Sequence, residues 1–537
     1  MQRLPVGIQT FDKIRRQGLA YVDKTDLIWK LAHSVDYGFL SRPRRFGKSL
    51  MLSTLASYFR HEEELFKGLH LERLQRESGE EWLEYPVIHL YITAGEEKDG
   101  ADFYTKLSLQ FDQVDEQYGV DTSKYASGAR MSALIIALRR KFNRNVVVLV
   151  DEYDAPLLAT MGQPELAEEH EKAKRALRAI YGNFKEYDEL LHFVMLTGVS
   201  QFSQLSLFSG LNSIVNISLQ DEWATLCGIT EGEMLETFAP YLEALRAKLG
   251  FTQEELLRVL RYKYDGYRFT PNGEHVYCPY GLLLALKSKM LDNYWAKTGT
   301  PQVLDYLLPY YEINAQELEE GVLLDIAEID SIEAMEGSPI PMLYQTGYLT
   351  IKEALGGEAL LVAFPNGEVR VALARLMQWH FLKGNRLTIF KTLRTMKDML
   401  NAGDLEGFMG HLAPLIAGVP YIAEAKDSPA REANFRNAMY VILTILEEAV
   451  YIERPSALGR SDCEIDTQSG VYIFELKLKS SGESKRDALR QIAKKRYGDK
   501  FLNIGKPIIC VGATFDAEAK ADWEAMPYAE VLKLIEE

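Results

Sequence analysis

Residues 37–52 read YGFLSRPRRFGKSLML, and this stretch decides the fold of the first part of the chain. Residues 37–41 form a short apolar run that predicts a buried strand, and from Ser49 onward apolar residues recur at helical spacing. A strand that passes through a tight, glycine-containing loop into a helix is typical of phosphate sites. Backbone N–H groups at the start of such a helix can cradle phosphate oxygens.

The loop itself, residues 42–49, resembles a Walker A loop that ends in Gly-Lys-Ser. In this arrangement Lys48 would reach the β- and γ-phosphates, and the Ser49 hydroxyl would bind Mg²⁺. Arg42 stands where the pattern has its first glycine, so a basic strand–helix turn without nucleotide is the alternative for the loop taken alone. The residues expected to contact the nucleotide here are Arg45, Phe46, Gly47, Lys48, Ser49 and Leu50.

A second half of the motif follows about a hundred residues later, at residues 145–154, NVVVLVDEYD. The continuous apolar run predicts a central parallel strand that is buried on both faces. Its acids fall at the carboxyl end of the strand, where open α/β sheets bind ligands. We expect Asp151 to hold Mg²⁺ and Glu152 to polarise the attacking water. A strand that ends in a solvated acidic turn is the alternative, but two half-motifs in this order favour a P-loop NTPase domain that binds ATP.

Residues 191–197, LHFVMLT, predict another buried strand, which ends in hydroxyl groups. If this strand lies beside the one ending at Asp151, Thr197, or as second choice Ser200, would contact the γ-phosphate or the attacking water. A strand-end cap is the alternative. Further strands are expected at 87–92 and 213–219. The arginines that could act as a finger, on their own or on a neighbour's nucleotide, are Arg42, Arg44, Arg45 and Arg60.

Two other segments carry open alternatives. Residues 4–32 precede the loop and either pack near the nucleotide base or cover the sheet, of which we favour the second. Residues 264–269, YDGYRF, predict a tight turn packed on aromatic neighbours, with base stacking as the alternative. Residues 341–351, PMLYQTGYLTI, have the helix-turn-strand pattern of a winged-helix module, which either binds nucleic acid or forms a lid over the nucleotide.

The last third of the chain carries a second candidate site. Residues 463–467 and 471–476 predict a β-hairpin, and Asp462, Glu475 and Lys477 match the Asp…Glu-x-Lys arrangement of PD-(D/E)XK nucleases. Strand alternation places Glu475 and Lys477 on one face. We expect Asp462 and Glu475 to bind Mg²⁺, which activates water, and Lys477 to orient the nucleophile or neutralise the phosphate. An ordinary hairpin with a surface Glu-Lys pair is the alternative.

Basic residues concentrate after this hairpin. Residues 476–506 hold ten lysines and arginines against three acids, a local net charge of +7 in a chain of −16, as expected of a phosphate-binding face. A helix over 488–497 would carry Gln491 and Tyr497 as supporting residues, and Glu432, in an earlier helix, is a further candidate acid.

These motifs occur in order along nearly the whole chain, including LPVGIQTFDKIR, YVDKT, SRPRRFGKSL, VVLVDEYDAP, TGVSQFS, YDGYRF, YQTGYLT, FPNGEVR and GRSD…YIFELKLK…ALRQIAKKRYGDKF. Together they resemble the bacterial AAA-ATPase-like family with a PD-(D/E)XK nuclease domain at its C-terminus. The resemblance implies an additional-strand P-loop ATPase fused to a DNA nuclease. Arg42 at the first glycine position also looks normal within this family. Cys278 replaces the asparagine usual in similar proteins, with no consequence for a catalytic step.

We therefore predict an α/β protein with four regions. Residues 1–225 would form an additional-strand P-loop ATPase domain, and residues 226–375 a helical and winged-helix-like middle region. Residues 376–425 would form a helical connector, and residues 426–537 a PD-(D/E)XK nuclease-like α/β domain.

Composition sets outer limits on the function. With 47% apolar and 26% charged residues the chain has the makeup of an ordinary globular protein, and no run of apolar residues is long enough to predict a membrane span. Four cysteines without C-x-x-C spacing indicate neither a disulfide framework nor a zinc site and fit a reducing cytoplasm. The net charge of −16 argues against a protein coated in nucleic acid but allows a local basic groove.

The expected function is ATP binding and hydrolysis, with Mg²⁺, coupled to a metal-dependent nuclease acting on DNA or RNA. One alternative is an ATP-dependent regulatory switch whose nuclease-like domain binds nucleic acid without cleaving it. Another is a scaffold in which ATP drives assembly of a homo-oligomer. Defence against foreign DNA and service to a mobile element are both compatible with such a fusion.

Overall fold

The computed structural model describes residues 1–93, 101–201, 214–295, 304, 313, 315–329, 338–381, 386–417, 437–438, 440–442, 444–446, 463–479, 482–516 and 520–535. The chain divides into two compact units. The first contains residues 1–311 and 318–369, and the second contains residues 312–317 and 370–537. The four regions predicted from the sequence are finer than this division and stay predictions.

The first unit is built on a parallel sheet. Its strands are β1 (Tyr37–Ser41), β2 (Val87–Tyr91), β3 (Val146–Asp151), β4 (Leu191–Gly198) and β5 (Val215–Asn216). They lie in the order β2-β3-β4-β1-β5, and every neighbouring pair is parallel. The prediction of an α/β sheet domain is confirmed, although β5 is shorter than the strand expected over 213–219. Because β4 lies between β1 and β3, the carboxyl ends of these three strands are adjacent.

The buried strands follow from their apolar runs. Every residue of β1 and β3 is buried, as expected of central strands covered by helices on both faces. The helices around this sheet are α1 (Phe11–Arg16), α2 (Thr25–Ser34), α3 (Lys48–Phe59), α4 (His70–Ser78), α5 (Ala101–Tyr118), α6 (Ser127–Phe142), α7 (Ala155–Thr160), α8 (Ala167–Tyr181) and α9 (Asn183–Glu186). Helix α3 begins at Lys48, so the loop after β1 ends at a helix N-terminus.

The remainder of the first unit is mainly helical. It contains α10 (Glu231–Leu249), α11 (Gln253–Tyr264), α12 (Pro279–Ser288), β6 (Val322–Asp325), α14 (Ile326–Ile329), α15 (Ile340–Gln345), β7 (Thr350–Leu355) and β8 (Ala359–Ala363). Strands β6, β8 and β7 form an antiparallel sheet. The helix-turn-strand expected over 341–351 is confirmed as α15 followed by β7, whereas a winged-helix assignment stays a prediction. Helices α13 (Ala315–Glu320) and α16 (Gly367–Phe381) contain points where the chain passes between the units.

The aromatic turn at 264–269 packs inside the first unit. Tyr267 and Phe269 contact the ring of Phe46 edge-on, with centroids 4.6 and 5.1 Å away. All three side chains are buried. The predicted packing role is confirmed, and these rings are not presented to solvent for base stacking.

The second unit contains a mixed four-stranded sheet. Its elements after α16 are α17 (Arg386–Ala402), α18 (Leu405–Ala417), β9 (Cys463–Asp466), β10 (Val471–Leu478), α19 (Lys485–Lys494), β11 (Ile508–Phe515), β12 (Ala521–Pro527) and α20 (Tyr528–Val531). The strand order is β12-β11-β10-β9, with β10 and β11 parallel and both outer pairs antiparallel. Helix α19 connects the two parallel strands and packs on them through Leu489 and Ile492. None of the helices among the described residues has the length and hydropathy to cross a membrane.

Candidate functional sites

The loop before α3 is closed around its own lysine. Gly47, with φ of +101°, provides the left-handed turn that starts the helix at Lys48. The Lys48 ammonium donates to the carbonyl oxygens of Arg42 at 2.8 Å and Pro43 at 3.1 Å, and its side chain is 5% exposed. The predicted phosphate-binding lysine is therefore held at the centre of the loop by weak, neutral acceptors that an anion can replace.

Arg42 has a structural role, so the prediction that it could act as an arginine finger is wrong. Its guanidinium is 2% exposed, donates to the carbonyl oxygens of Ser41, Ser218 and Trp223, and lies 4.5 Å from the centroid of the Phe269 ring. Burial lowers its pKa to about 10. A cation held by carbonyl oxygens and an aromatic face anchors the loop from behind, so this position tolerates arginine in place of glycine.

The other arginines divide into three cases. Arg45 lies over the ring of Tyr280 at 4.7 Å and has φ of +72°. Arg60 follows the C-terminal end of α3, roughly 18 Å along the helix from Lys48, which places it away from this chain's own loop. Its action on a neighbour's nucleotide stays a prediction. Arg44 acts electrostatically on Glu152. Among these three, Arg44 is the one that the structure brings to the acidic strand end.

The acids after β3 meet a hydroxyl from β4. The Thr197 hydroxyl donates to Asp151 Oδ1 at 2.7 Å, and the Glu152 backbone N–H donates to the same oxygen at 3.1 Å. Thr197 and Asp151 are 0% and 1% exposed. The structure thus brings Thr197 to the strand end as expected, but its hydroxyl orients Asp151. Ser200, the second choice, donates instead to Asp154.

Glu152 sits in a constrained, half-buried position. Its φ of +51° places a non-glycine residue in the left-handed region, which costs about 1 kcal/mol or more. Burial raises the pKa of its carboxyl, Asp151 and Asp154 raise it further, and Lys48 and Arg44 oppose the shift. A carboxyl with a raised pKa beside a lysine is suited to act as a base on water.

Sequence reasoning missed two residues at this site. Asp154 is 1% exposed and accepts hydrogen bonds from the backbone N–H groups of Val199 and Ser200 at 3.0 and 2.6 Å. Tyr91, at the end of β2, has a phenol whose pKa is raised by burial and by the negative charges of Glu152 and Asp151. Asp154 is the last acid of the DEYD run quoted above, so its residue type could have indicated a role. Nothing in the sequence around Tyr91 indicated that it belongs to this site.

A cavity of about 110 Å³ adjoins the loop. It is mainly apolar and lies between the segment before the loop and the segment after β5; its lining includes Tyr21, Lys24, Phe46, Leu50, Cys227 and Gly228. The Lys24 ammonium is paired with Glu233 at 2.6 Å. The segment 4–32 therefore lines a space beside the loop, and its packing near a nucleotide base stays a prediction.

Thr197→Val is expected to lower ATP turnover by roughly 10- to 100-fold, because it removes a hydrogen bond to a buried carboxylate and keeps the side-chain shape. ATP binding should change little, since Lys48 and its loop are untouched. Steady-state hydrolysis and equilibrium binding of ATP measure the two effects separately. Wild-type turnover in Thr197→Val would contradict the orienting role. Thr160→Val at the far end of α7, whose hydroxyl bonds Pro156 and His170, is the matched control.

In the second unit Glu475 and Lys477 meet a side chain of α19. The Gln491 amide N–H donates to Glu475 Oε1, and the Lys477 ammonium donates to Gln491 Oε1 at 2.7 Å. Lys477 also lies 3.4 Å from Glu475 and 3.8 Å from Glu483. Glu475 is 1% exposed. The structure thus places the predicted acid, lysine and supporting glutamine in one hydrogen-bonded group on one face of β10.

The other residues predicted for this site are Asp462, Glu432 and Tyr497. Asp462 and Glu432 lie outside the described residues; Cys463, the residue after Asp462, pairs with Phe474 beside Glu475. Tyr497 does not lie on the helix as expected. Helix α19 ends at Lys494, Arg496 has φ of +51°, and Tyr497 is buried in the core with Phe501 and Tyr528. Tyr497 therefore packs in the core beyond the end of the helix, and its predicted supporting role in the site stays a prediction.

The basic residues over 476–506 are less available to bind phosphate than their net charge predicted. Ion pairs with acids engage Lys477, Lys485, Arg486, Arg490, Arg496, Lys500 and Lys506. Lys500 with Glu464 and Lys506 with Asp466 link the segment after α19 to strand β9. Acids outside residues 476–506 thus offset most of the +7 charge of the expected phosphate-binding face. The charge count over that stretch alone did not include these acids.

Metal binding by these groups is compatible with their chemistry. In the first unit the Ser49 hydroxyl, at the start of α3, and the Asp151 carboxylate, at the end of β3, are oxygen donors of the kind that Mg²⁺ prefers. In the second unit Glu475 supplies one carboxylate. Within the described ranges, which exclude Asp462, the structure contains no group of three or more His, Cys, Asp or Glu side chains that could hold a metal ion.

The sheet order, the glycine loop and the acidic strand end are consistent with a P-loop-like domain joined to a second α/β unit. Residues 5–208 match the family described as predicted AAA-ATPase, and residues 430–522 match the PD-(D/E)XK nuclease superfamily. A protein of Azotobacter chroococcum mcd 1, named "Uncharacterized protein in vnfD 5'region", is 33% identical over 531 residues, which cover 97% of this chain and 98% of the relative. The chain therefore belongs to the AAA-ATPase-like family with a C-terminal PD-(D/E)XK nuclease superfamily domain, and the resemblance inferred from its motifs is confirmed.

Proposed function

We propose that the first unit binds and hydrolyses ATP with Mg²⁺ and that the second unit cleaves nucleic acid in a metal-dependent reaction. The observation that carries the proposal is the convergence of Lys48, Asp151, Thr197 and Glu152 at the carboxyl ends of β1, β3 and β4. Such strand ends are where open α/β sheets bind their ligands.

The residues of the first unit have separable roles in this reaction. Lys48 exchanges two carbonyl oxygens for phosphate oxygens, to which its hydrogen bonds are charge-assisted and stronger. Ser49 and Asp151 would hold Mg²⁺, which offsets charge on the phosphates. Glu152 takes a proton from the attacking water. The apolar cavity beside Phe46 and Leu50 accepts the base.

The raised pKa of Glu152 has a consequence for the pH dependence. Glu152 must be ionised to act as a base, so turnover falls as the pH drops through its pKa. Burial raises this pKa and a Mg²⁺ ion on Asp151 would lower it, so the pH of the acid limb measures the balance of the two effects.

In the second unit Glu475 and Asp462 would hold the metal ion that supplies activated water. Gln491 fixes the orientation of Glu475 and of Lys477 through opposite ends of its amide. Lys477 then directs its charge at the scissile phosphate or at the nucleophile. The proposed substrate is DNA or RNA, bound through this unit, and a homo-oligomer is the proposed state if a neighbour supplies an arginine.

The test uses the full chain with ATP, Mg²⁺ or Mn²⁺, and plasmid, single-stranded DNA or RNA. Glu152→Gln is expected to bind ATP normally but to lose turnover by roughly 100-fold or more, as for a general base. Phosphate release and ATP binding are measured on the same preparation, with Glu186→Gln on α9 as the control.

Cleavage by the wild type that ATP alters would support coupling of the two units. Nucleic acid binding without cleavage under any condition would favour the regulatory-switch alternative. ATP-dependent change in size on gel filtration without hydrolysis would favour the scaffold alternative.

A further inference from the structure

The turn after Thr197 is held by several elements of the first unit. The Ser41 hydroxyl donates to the Val199 carbonyl at 2.6 Å, and the Arg42 N–H donates to the Gly198 carbonyl at 3.1 Å. Asp154 accepts from the N–H groups of Val199 and Ser200, as described above. The turn at 198–201 is thereby fixed against the start of the phosphate loop and against the acidic strand end.

The last residue of this turn is held by a side chain far away in the sequence. The Gln201 N–H donates to Gln345 Oε1 at 2.7 Å, and Gln345 Nε2 donates to the Ile329 carbonyl at 2.5 Å. Gln201 and Gln345 are 4% and 3% exposed. Both ends of the buried Gln345 amide make hydrogen bonds, so the orientation of this side chain is fixed. Loss of its hydrogen bond to the turn would leave a buried N–H group without an acceptor, which is unfavourable.

The same segment also contacts the phosphate loop. Gly347 has φ of +88°, and a Cβ at this position would lie 2.6 Å from Pro43 Cβ, so only glycine allows the observed approach. The Tyr267 hydroxyl donates to the Gly347 carbonyl at 3.1 Å. Residues 345–347, at the end of α15, therefore touch both the loop that carries Lys48 and the turn that follows Thr197.

We propose that Gln345 is a positioning residue for ATP hydrolysis, which rests on the function proposed above. Gln345 fixes the turn at 198–201, the turn fixes Thr197 at the end of β4, and Thr197 orients Asp151. By reciprocity, a nucleotide that orders Asp151 and Thr197 also stabilises the hold of α15 on the turn. The segment that precedes β7 is thus part of the ATP site.

The decisive variant is Gln345→Met, which keeps the length and packing of the side chain and removes both hydrogen bonds. We expect kcat for ATP to fall roughly 10-fold with the KM for ATP changed less than about 2-fold. Gln75→Met is the matched control, because Gln75 is a buried glutamine bonded to Trp29 and Tyr58, remote from the turn.

A second readout needs no nucleotide. Hydrogen exchange of the Gln201 amide should be faster in Gln345→Met than in the wild type and unchanged in Gln75→Met. If Gln345→Met and Gln75→Met lower kcat equally, or if Gln345→Met leaves both kcat and Gln201 exchange unchanged, the positioning role is wrong. Absence of ATP turnover in the wild type would overturn the proposed function instead, and Gln201 exchange would still decide whether Gln345 holds the turn.

Discussion

Replacing Lys48 with alanine is expected to remove ATP binding, with a loss of affinity of roughly 100-fold or more. The ammonium lies at the centre of the loop on two carbonyl oxygens, and no other cationic side chain among the described residues is seen to occupy that position. Without it, the phosphates lose the one charge that the structure holds at the centre of the loop among the described residues. Equilibrium binding of ATP in the presence of Mg²⁺ is the measurement.

The control for this variant is Lys172→Ala, which removes an equal charge from an exposed ion pair on α8. Its ATP affinity should equal that of the wild type. The unfolding temperatures of both variants are measured beside the wild type, because loss of Lys48 also removes the donor to two loop carbonyl oxygens. Normal ATP affinity in Lys48→Ala would exclude the loop as the phosphate site, whatever the sheet order around it.

The parts of this site that could be predicted are those set by neighbouring residues in the chain. Residues 37–41 and 146–151 are buried strands because their apolar runs leave no polar face, and Gly47 before Lys48 indicates the turn into α3. Thr197 was predictable only on the condition that β4 lies beside β3. The parallel register of β3 and β4 fulfils that condition.

The parts that could not be predicted depend on partners far away in the sequence. Arg42 read as a candidate finger because Ser218, Trp223 and Phe269, which enclose it, stand more than 170 positions later. The basic stretch after β10 read as an open face because Glu464 and Asp522, which neutralise part of it, belong to other strands. A count of local charge gives no information on such pairings.

The two candidate sites use one shared device, a side chain that fixes a catalytic carboxylate through a hydrogen bond. Thr197 does this for Asp151, and Gln491 does it for Glu475. In both cases the carboxylate is about 1% exposed, so removal of its donor leaves a buried polar atom without that hydrogen bond. Loss of the orienting group should therefore alter metal dependence as well as rate.

Lys477→Ala is expected to abolish metal-dependent cleavage of nucleic acid, a loss of roughly 100-fold or more, while ATP turnover persists. Lys477 is the basic residue that Gln491 joins to Glu475, so its removal takes away the charge directed at the phosphate and leaves the acid in place. Asp462→Ala should give the same separation of activities. Cleavage of plasmid and single-stranded DNA with Mg²⁺ or Mn²⁺, beside phosphate release from ATP, measures both.

The matched control for this prediction is Lys494→Ala, an exposed lysine near the end of α19 in the same unit. If cleavage falls equally in Lys494→Ala and Lys477→Ala, general attraction of the polyanion explains the effect and Lys477 has no special role. If Lys477→Ala alone fails to cleave but still binds the substrate, the group on β10 is the catalytic centre. Equal loss of cleavage and ATP turnover in Asp462→Ala would contradict two separate sites, because that acid follows the phosphate-loop strand by more than 400 residues and belongs to the other unit.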